Sequence, residues 1–228
     1  MILLNGKKTA NDIKAELAIK VSALKSSGGK TPHLAAILVG NNGASETYVN
    51  AKVKACERIG FKSTLHHLSS DTSEIELLKV IKKLNEDDSI DGFIVQLPLP
   101  NHIDDHKITL AISPKKDVDG FHPENVGKMA LGLPTFLPAT PNGVMELLKR
   151  YEIPTEGKNT VVIGRSSIVG TPMSILMSRK SNPGNATVTL AHSRTKNLEQ
   201  ICKQADILIV AIGIPEFVTS DMVKPNAV

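Results

Sequence analysis

The chain has 228 residues, 41% hydrophobic and 22% charged, enough for one large or two modest domains with their own cores and too apolar for a disordered chain. Its formal net charge of +4 comes from scattered lysines, and with aromatic residues at 3% and no tryptophan the composition argues against a base-stacking nucleic-acid module. A mild positive field suits an anionic small molecule as well as an ordinary solvated surface. Cys56 and Cys202 lie far apart among apolar neighbours, which reads as two reduced core thiols of a cytosolic protein and not as a disulfide or zinc framework. The opening Met1-Ile2-Leu3-Leu4 is too short for a signal sequence, and no apolar run reaches membrane-spanning length. A cytoplasmic protein without membrane or nucleic-acid partners is expected.

The predicted elements alternate. Ile13, Leu17, Val21 and Leu24 recur at helical spacing over residues 9–25, and Gly28-Gly29 ends the pattern. Residues 33–40 form a continuous apolar run of strand length, the mark of a strand covered on both faces. Residues 45–59 read as a helix, 62–68 as a strand, 72–84 as a helix and 90–97 as a strand, so this half is a parallel sheet with right-handed crossovers. Its third strand ends in Gln96-Leu97-Pro98-Leu99-Pro100, where proline stops the ladder. Ligands gather beyond the carboxyl ends of such strands, and that places Gln96 at a cleft. Residues 113–141 are rich in Pro and Gly without sustained periodicity and read as a functional loop joining two domains. A second array follows: helix 140–150, strand 159–163, helix 168–179, strand 186–190, helix 198–204 and strand 207–212, the βαβαβ unit that binds mononucleotides. Another strand is expected to begin at Asn226-Ala227-Val228, so the sequence reads as incomplete at its C-terminus.

Three constellations carry chemistry. On the 45–59 helix, a 100° projection groups Tyr48, Val49, Lys52, Val53, Ala55, Cys56 and Ile59 on one arc, so Lys52 points where the apolar residues point. A buried lysine is driven towards a proton-transfer range, and Tyr48, one turn earlier, is placed to hydrogen-bond it; a lysine that snorkels to water is the plain alternative. Lys52, Tyr48, Gln96 and Asp119 come from different segments of the first half. Tyr-x-x-x-Lys also occurs in short-chain dehydrogenases, but there it follows the glycine-rich loop and here it precedes it. The second constellation is the turn Gly164-Arg165-Ser166-Ser167-Ile168-Val169-Gly170, where glycine permits a tight turn and the free amides opening the next helix are placed to hold a phosphate. Only two glycines are present, so an ordinary strand-to-helix turn is the alternative. The following strand ends in His192-Ser193-Arg194 where an NAD site usually carries an acid; serine and arginine suit a 2′-phosphate, which points to NADP over NAD. The third is Asp117-Val118-Asp119-Gly120, too poor in oxygen ligands for calcium, which leaves a turn braced by its own carboxylates or a carboxylate presented to a substrate amine or amide. No metal is expected.

Five ordered motifs, Tyr48-Val49-Asn50-Ala51-Lys52, Asp91-Gly92-Phe93-Ile94-Val95-Gln96-Leu97-Pro98-Leu99-Pro100, Lys116-Asp117-Val118-Asp119-Gly120-Phe121, Pro138-Ala139-Thr140-Pro141-Asn142-Gly143 and Val162-Ile163-Gly164-Arg165-Ser166-Ser167-Ile168-Val169-Gly170, resemble the bifunctional methylenetetrahydrofolate dehydrogenase/methenyltetrahydrofolate cyclohydrolase family. The resemblance implies a two-domain α/β homodimer, with a folate-binding catalytic domain over 1–137, a Rossmann-like NADP-binding domain over 138–228, and an active site in the cleft between them. It implies Lys52 as general acid/base, Tyr48 orienting it and packing by the pterin, Gln96 beside Lys52, and Asp119 anchoring the pterin. Gly164, Arg165, Ser166, Ile168 and Ser193 would face the cofactor, joined by Arg194 from the residue reading. The implied chemistry is oxidation of 5,10-methylenetetrahydrofolate to the methenyl form and hydrolysis of that to 10-formyltetrahydrofolate. Ala139 stands where many members have cysteine, and the family's later Pro-Gly-Gly-Val-Gly-Pro segment would lie beyond Val228. A non-catalytic or truncated NADP-binding module of the same fold is the alternative.

Overall fold

The computed structural model describes residues 2–228. Contacts divide it into two compact units, Leu3–Pro123 and Glu124–Val228. The sequence reading put its boundary after residue 137; the helix at Pro123–Ala130 precedes that point, yet Met129 from it is fully buried in the core of the second unit.

In the first unit, helix α1 (Gly6–Ser26) leads to strand β1 (His33–Val39), helix α2 (Gly43–Ile59), strand β2 (Lys62–Leu68), helix α3 (Glu74–Glu86), strand β3 (Gly92–Val95) and helix α4 (Asp105–Ala111). The strands pair in parallel in the order β2-β1-β3. Alternate residues of β1 serve two cores. Ala35, Ile37 and Val39 pack with Leu77, Ile81 and Leu84 of α3, while Ala36 and Leu38 meet Val49 of α2. Burial on both faces is what an apolar run without polar alternation demands. The chain leaves β1 for one side of the sheet and returns on the other, so the carboxyl end of β1 is a switch point where ligand crevices form.

The second unit contains helix α5 (Pro123–Ala130, counting its first residue), helix α6 (Ala139–Arg150), strand β4 (Asn159–Ile163), helix α7 (Gly170–Ser178), strand β5 (Thr187–Ala191), helix α8 (Leu198–Lys203), strand β6 (Ile207–Val210) and a 3₁₀ turn at Ser220–Met222. Its parallel order β5-β4-β6 repeats the plan of the first unit, with the switch point at the carboxyl end of β4. Met173, Leu176 and Met177 of α7 pack on one face with Met145 and Leu148 of α6, and Val161, Ile163 and Cys202 form the core on the other. At the end of the chain, Val228 exchanges backbone hydrogen bonds with Asp206 and Leu208 beside β6.

Two helices escape the sequence reading. Helix α4 has seven residues, started by Asp104, whose carboxylate accepts from the His106 and Lys107 amides. Helix α5 has eight and opens with Pro123, a residue suited to the first helical position. It corrects the expectation of a structureless 113–141 segment, since two turns are too few to register as a periodicity. The third strand also stops at Val95, two residues short of the expected end.

Candidate functional site

The first site is assembled at the carboxyl end of β3. The Gln96 amide donates to Ile37 O at 2.9 Å, which continues the ladder by one bond and fixes the residue beyond the strand. Its side chain is oriented by its own neighbour: Nε2 donates to Leu97 O at 2.7 Å, which leaves Oε1 to accept from Lys52 Nζ at 3.4 Å. Lys52 reaches it from α2, whose N-terminus is capped by Asn42 accepting from the Ser45 amide and whose C-terminus is closed by Gly60 in the left-handed region. Val49, Cys56 and Ile59 form the buried stripe of that helix, and Lys52 is half-buried at its edge. Tyr48 departs from the sequence reading. It is 65% exposed, outside the buried stripe, and the hydrogen bond of Lys52 goes to Gln96 in its place.

Asp119 arrives by a route the sequence reading missed. Gly92 opens β3, and a Cβ there would lie 2.2 Å from Val118 Cγ1 and 3.3 Å from Lys116 O, so glycine lets the 116–118 segment lie close along the strand with Val118 in its present place. The Phe93 amide then donates to Lys116 O at 2.9 Å, and Phe93 and Asp117 form an isolated parallel bridge. Asp117 is 2% exposed and accepts from the His122 amide at 2.8 Å, which braces the turn that carries Asp119. Asp117 is therefore the bracing carboxylate and Asp119 the presented one. A glycine inside a strand pattern is the signal that would have found this approach.

A small pocket here is walled by Ile94, Val95, Leu97, Ile108 and Phe121, with Asp117 and Asp119 as its carboxylates. Desolvation raises the Asp119 pKa, the Lys52 ammonium opposes the rise, and the Asp117 charge adds to it. A desolvated carboxylate with a lysine ammonium close by is suited to paired N–H donors of a ligand, because such donors stabilise the ionised acid.

The second site is the turn from β4 to α7. Gly164 has φ +111°, and a Cβ on it would lie 2.3 Å from Ala211 O; a Cβ on Gly170 would lie 1.9 Å from Gly164 O. Both positions require glycine because backbone meets backbone. The helix amides, expected to be free for a phosphate, are already engaged. Ser166 Oγ accepts from Val169 N at 3.1 Å and Gly170 N at 3.4 Å, and Ser166 O accepts from Thr171 N at 3.0 Å. Among the described residues it is the exposed amides of Arg165, Ser166, Ser167 and Ile168 that lack a protein acceptor. The donors left free for an anion therefore lie on the turn itself and not on the first turn of α7. On the neighbouring strand Ala191 pairs with Ile163, and Gly164 N donates to Ala191 O at 2.8 Å, which sets the His192-Ser193-Arg194 segment beside Gly164-Arg165. Ser193, Arg165 and Arg194 are exposed, and no described residue ties up either guanidinium.

A lysine, an amide and a carboxylate at the switch point of one α/β unit, and a turn with free amides and a basic neighbouring edge at the switch point of another, fit the class of nucleotide-dependent enzymes with separate catalytic and cofactor units. Comparison with known proteins narrows that class. The family models described as tetrahydrofolate dehydrogenase/cyclohydrolase, catalytic domain, and tetrahydrofolate dehydrogenase/cyclohydrolase, NAD(P)-binding domain, match residues 4–119 and 138–228. The chain belongs to the tetrahydrofolate dehydrogenase/cyclohydrolase family. It is 66% identical over 224 residues to the bifunctional protein FolD of Flavobacterium johnsoniae, covering 98% of this chain and 76% of that one. Among solved structures it is similar to the bifunctional FolD of Campylobacter jejuni, with a TM-score of 0.92 at 52% identity over 98% of this chain and 78% of that one. It is also similar to the FolD of Trypanosoma brucei complexed with NADP cofactor and inhibitor, with a TM-score of 0.92 at 33% identity over 98% and 75% of the two chains. No helix among the described residues is long and apolar enough to cross a membrane.

Proposed function

We propose that this chain oxidises 5,10-methylenetetrahydrofolate with NADP and hydrolyses the resulting methenyl compound to 10-formyltetrahydrofolate, with Lys52, Gln96 and Asp119 as the working groups of the folate unit. The observation that carries the reading is the convergence of these three residues, from α2, the end of β3 and the turn braced by Asp117, in a chain whose relatives are FolD enzymes. Asp119 holds the paired donors of the pterin edge, which orients the one-carbon unit. Tyr48, exposed and one turn from Lys52, supplies an aromatic face for the pterin. The nicotinamide of bound NADP supplies the hydride acceptor for the methylene carbon. In the second reaction water adds to the methenyl carbon as Lys52 takes one of its protons, Lys52 then passes that proton to N5 as the carbon–N5 bond breaks, and the remaining hydroxyl proton is released to solvent as the formyl carbonyl forms. Gln96 Oε1, held by the Leu97 carbonyl contact of its own amide, keeps the lysine amine directed at that carbon. In the cofactor unit, Gly164, Arg165, Ser166 and Ile168 form the turn against the pyrophosphate, and Ser193 and Arg194, with Arg165, meet the 2′-phosphate. A cytoplasmic homodimer completes the reading, and sedimentation of the purified protein tests the dimer.

The test is the Lys52→Met variant, assayed for both reactions and for NADP binding. Cyclohydrolase activity should vanish while the NADP dissociation constant stays at the wild-type value. Full cyclohydrolase activity in this variant would overturn the assignment.

A further inference from the structure

Beyond β5 the chain makes a compact turn whose hydrogen bonds all lead back to His192. Thr195 Oγ1 accepts from the His192 amide at 2.8 Å, the Thr195 amide donates to His192 O at 2.8 Å, and the Arg194 amide donates to His192 Nδ1 at 3.2 Å. His192 and Thr195, at the two ends of the turn, are half-buried, while the side chains of Ser193 and Arg194 between them are exposed. The base of the turn is anchored as well, because Ala191 is fully buried in register with Ile163 and its carbonyl accepts from Gly164 N. Nothing comparable holds the far side: Asn197 starts α8 from a left-handed conformation without a side-chain cap. The Thr195 hydroxyl thus joins the two ends of the turn at its base, beside the backbone bond from the Thr195 amide, while the His192 imidazole holds the Arg194 amide, and the two presented residues stand at the tip.

We propose that Thr195 is a positioning residue for the choice of NADP over NAD, its hydroxyl holding Ser193 and Arg194 where a 2′-phosphate is received. The proposal rests on the reading of that turn as the 2′-phosphate site. Arginine and serine on a slack loop would still attract an anion, but each would lose side-chain and backbone freedom on binding it. A turn closed beforehand by Thr195 reduces that ordering cost, and the gain falls on the ligand that touches the tip. NAD, which lacks the 2′-phosphate, does not touch Ser193 and Arg194 in this arrangement and is indifferent to their order.

The experiment measures NADP, NAD and 2′,5′-ADP binding by calorimetry on the full chain carrying Thr195→Val, Thr195→Ser, Ser193→Ala or Arg194→Ala, with a thermal melt of each. Valine keeps the shape of threonine and removes the acceptor of the His192 amide, whereas serine keeps the hydroxyl. The expected result is that Thr195→Val weakens NADP and 2′,5′-ADP about tenfold, the worth of roughly one hydrogen bond, leaves NAD unchanged, and that Thr195→Ser binds both within about twofold of wild type. Equal weakening of NADP and NAD by Thr195→Val, or no weakening of NADP, overturns the positioning role. A separate failure is recognisable: if Ser193→Ala and Arg194→Ala both leave the ratio of NADP to NAD affinity unchanged, the 2′-phosphate is read elsewhere and the proposal falls with that reading.

Discussion

Replacing Gly170 with alanine tests whether the β4–α7 turn is set by backbone contact. A Cβ at Gly170 would lie 1.9 Å from Gly164 O, 2.5 Å from Gly164 C and 2.9 Å from Arg165 N, all main-chain atoms. To reach an ordinary contact the Gly164 carbonyl must withdraw by about 1.5 Å. It is prevented from doing so on its other side, where the Gly164 amide is bonded to Ala191 O and its α-carbon is pressed towards Ala211 O. The overpacking therefore belongs at or above the upper end of the usual range, about 3 kcal/mol, against about 1 kcal/mol returned by the better helix propensity of alanine. A net loss of at least about 2 kcal/mol corresponds to a melting temperature lower by roughly 4–8 °C for a chain of this size. The same displacement moves Arg165 and Ser166, so NADP binding weakens as well. Gly143→Ala is the matched control, a glycine inside α6 with nothing within 4 Å of its Cβ position, and it should be neutral or stabilising by about 0.4–1 kcal/mol. Thermal melts and NADP titrations of the two variants decide the matter. A Gly170→Ala protein that melts like Gly143→Ala and binds NADP as wild type does would refute the close-contact reasoning.

Thr160 in β4 is 1% exposed, and its hydroxyl has no hydrogen-bond partner among the described residues, so Thr160→Val, which keeps the shape and removes the desolvated group, should stabilise the protein by about 1 kcal/mol. A denaturation midpoint that falls would show that the hydroxyl is satisfied. Burial raises the Asp119 pKa above its ordinary 3.8, so the folded state binds more protons than the unfolded one between the two values, and stability falls as pH rises through that window. Asp119→Asn, which cannot ionise, should therefore melt higher than wild type at pH 7 without folate. The advantage should shrink as pH falls towards the ordinary carboxylate value, and melts across that range check it; a difference that does not vary with pH would contradict the desolvation account.

Much of the framework was legible in the chain because local signals and tertiary demands agree. The apolar run at residues 33–40 needs cover on both sides, and β1 has it from α2 and α3. The stripe Val49, Cys56 and Ile59 names the buried side of α2, and the prolines after Gln96 end the third strand near the place where that residue is displayed. Helices α4 and α5 were not legible, since two turns stabilised by a cap or by docking leave almost no periodic trace. Tyr48 shows the limit of the projection: an arc of the helical wheel states which residues share a side, but the depth of the partner surface decides how much of that side is covered, and Tyr48 falls outside it.

The candidate sites divide along the same line. The residue types, a lysine on α2, an amide after β3, carboxylates in Asp117-Val118-Asp119-Gly120 and a basic end to β5, were set by sequence, because the chemistry of a side chain is local and the alternation of strand and helix puts such ends at switch points. Which carboxylate braces and which is presented was decided by tertiary structure. Gly92 admits the 116–118 segment against β3, Asp117 is buried and bonded to the His122 amide, and Asp119 is left to the pocket beside Lys52. Likewise Gly164 and Gly170 were visible as letters, but the capture of the α7 amides by Ser166, which moves the free donors onto residues 165–168, depends on how the turn folds against itself. A hydrogen bond goes to the acceptor that backbone packing brings within reach, and only the folded chain determines which one that is.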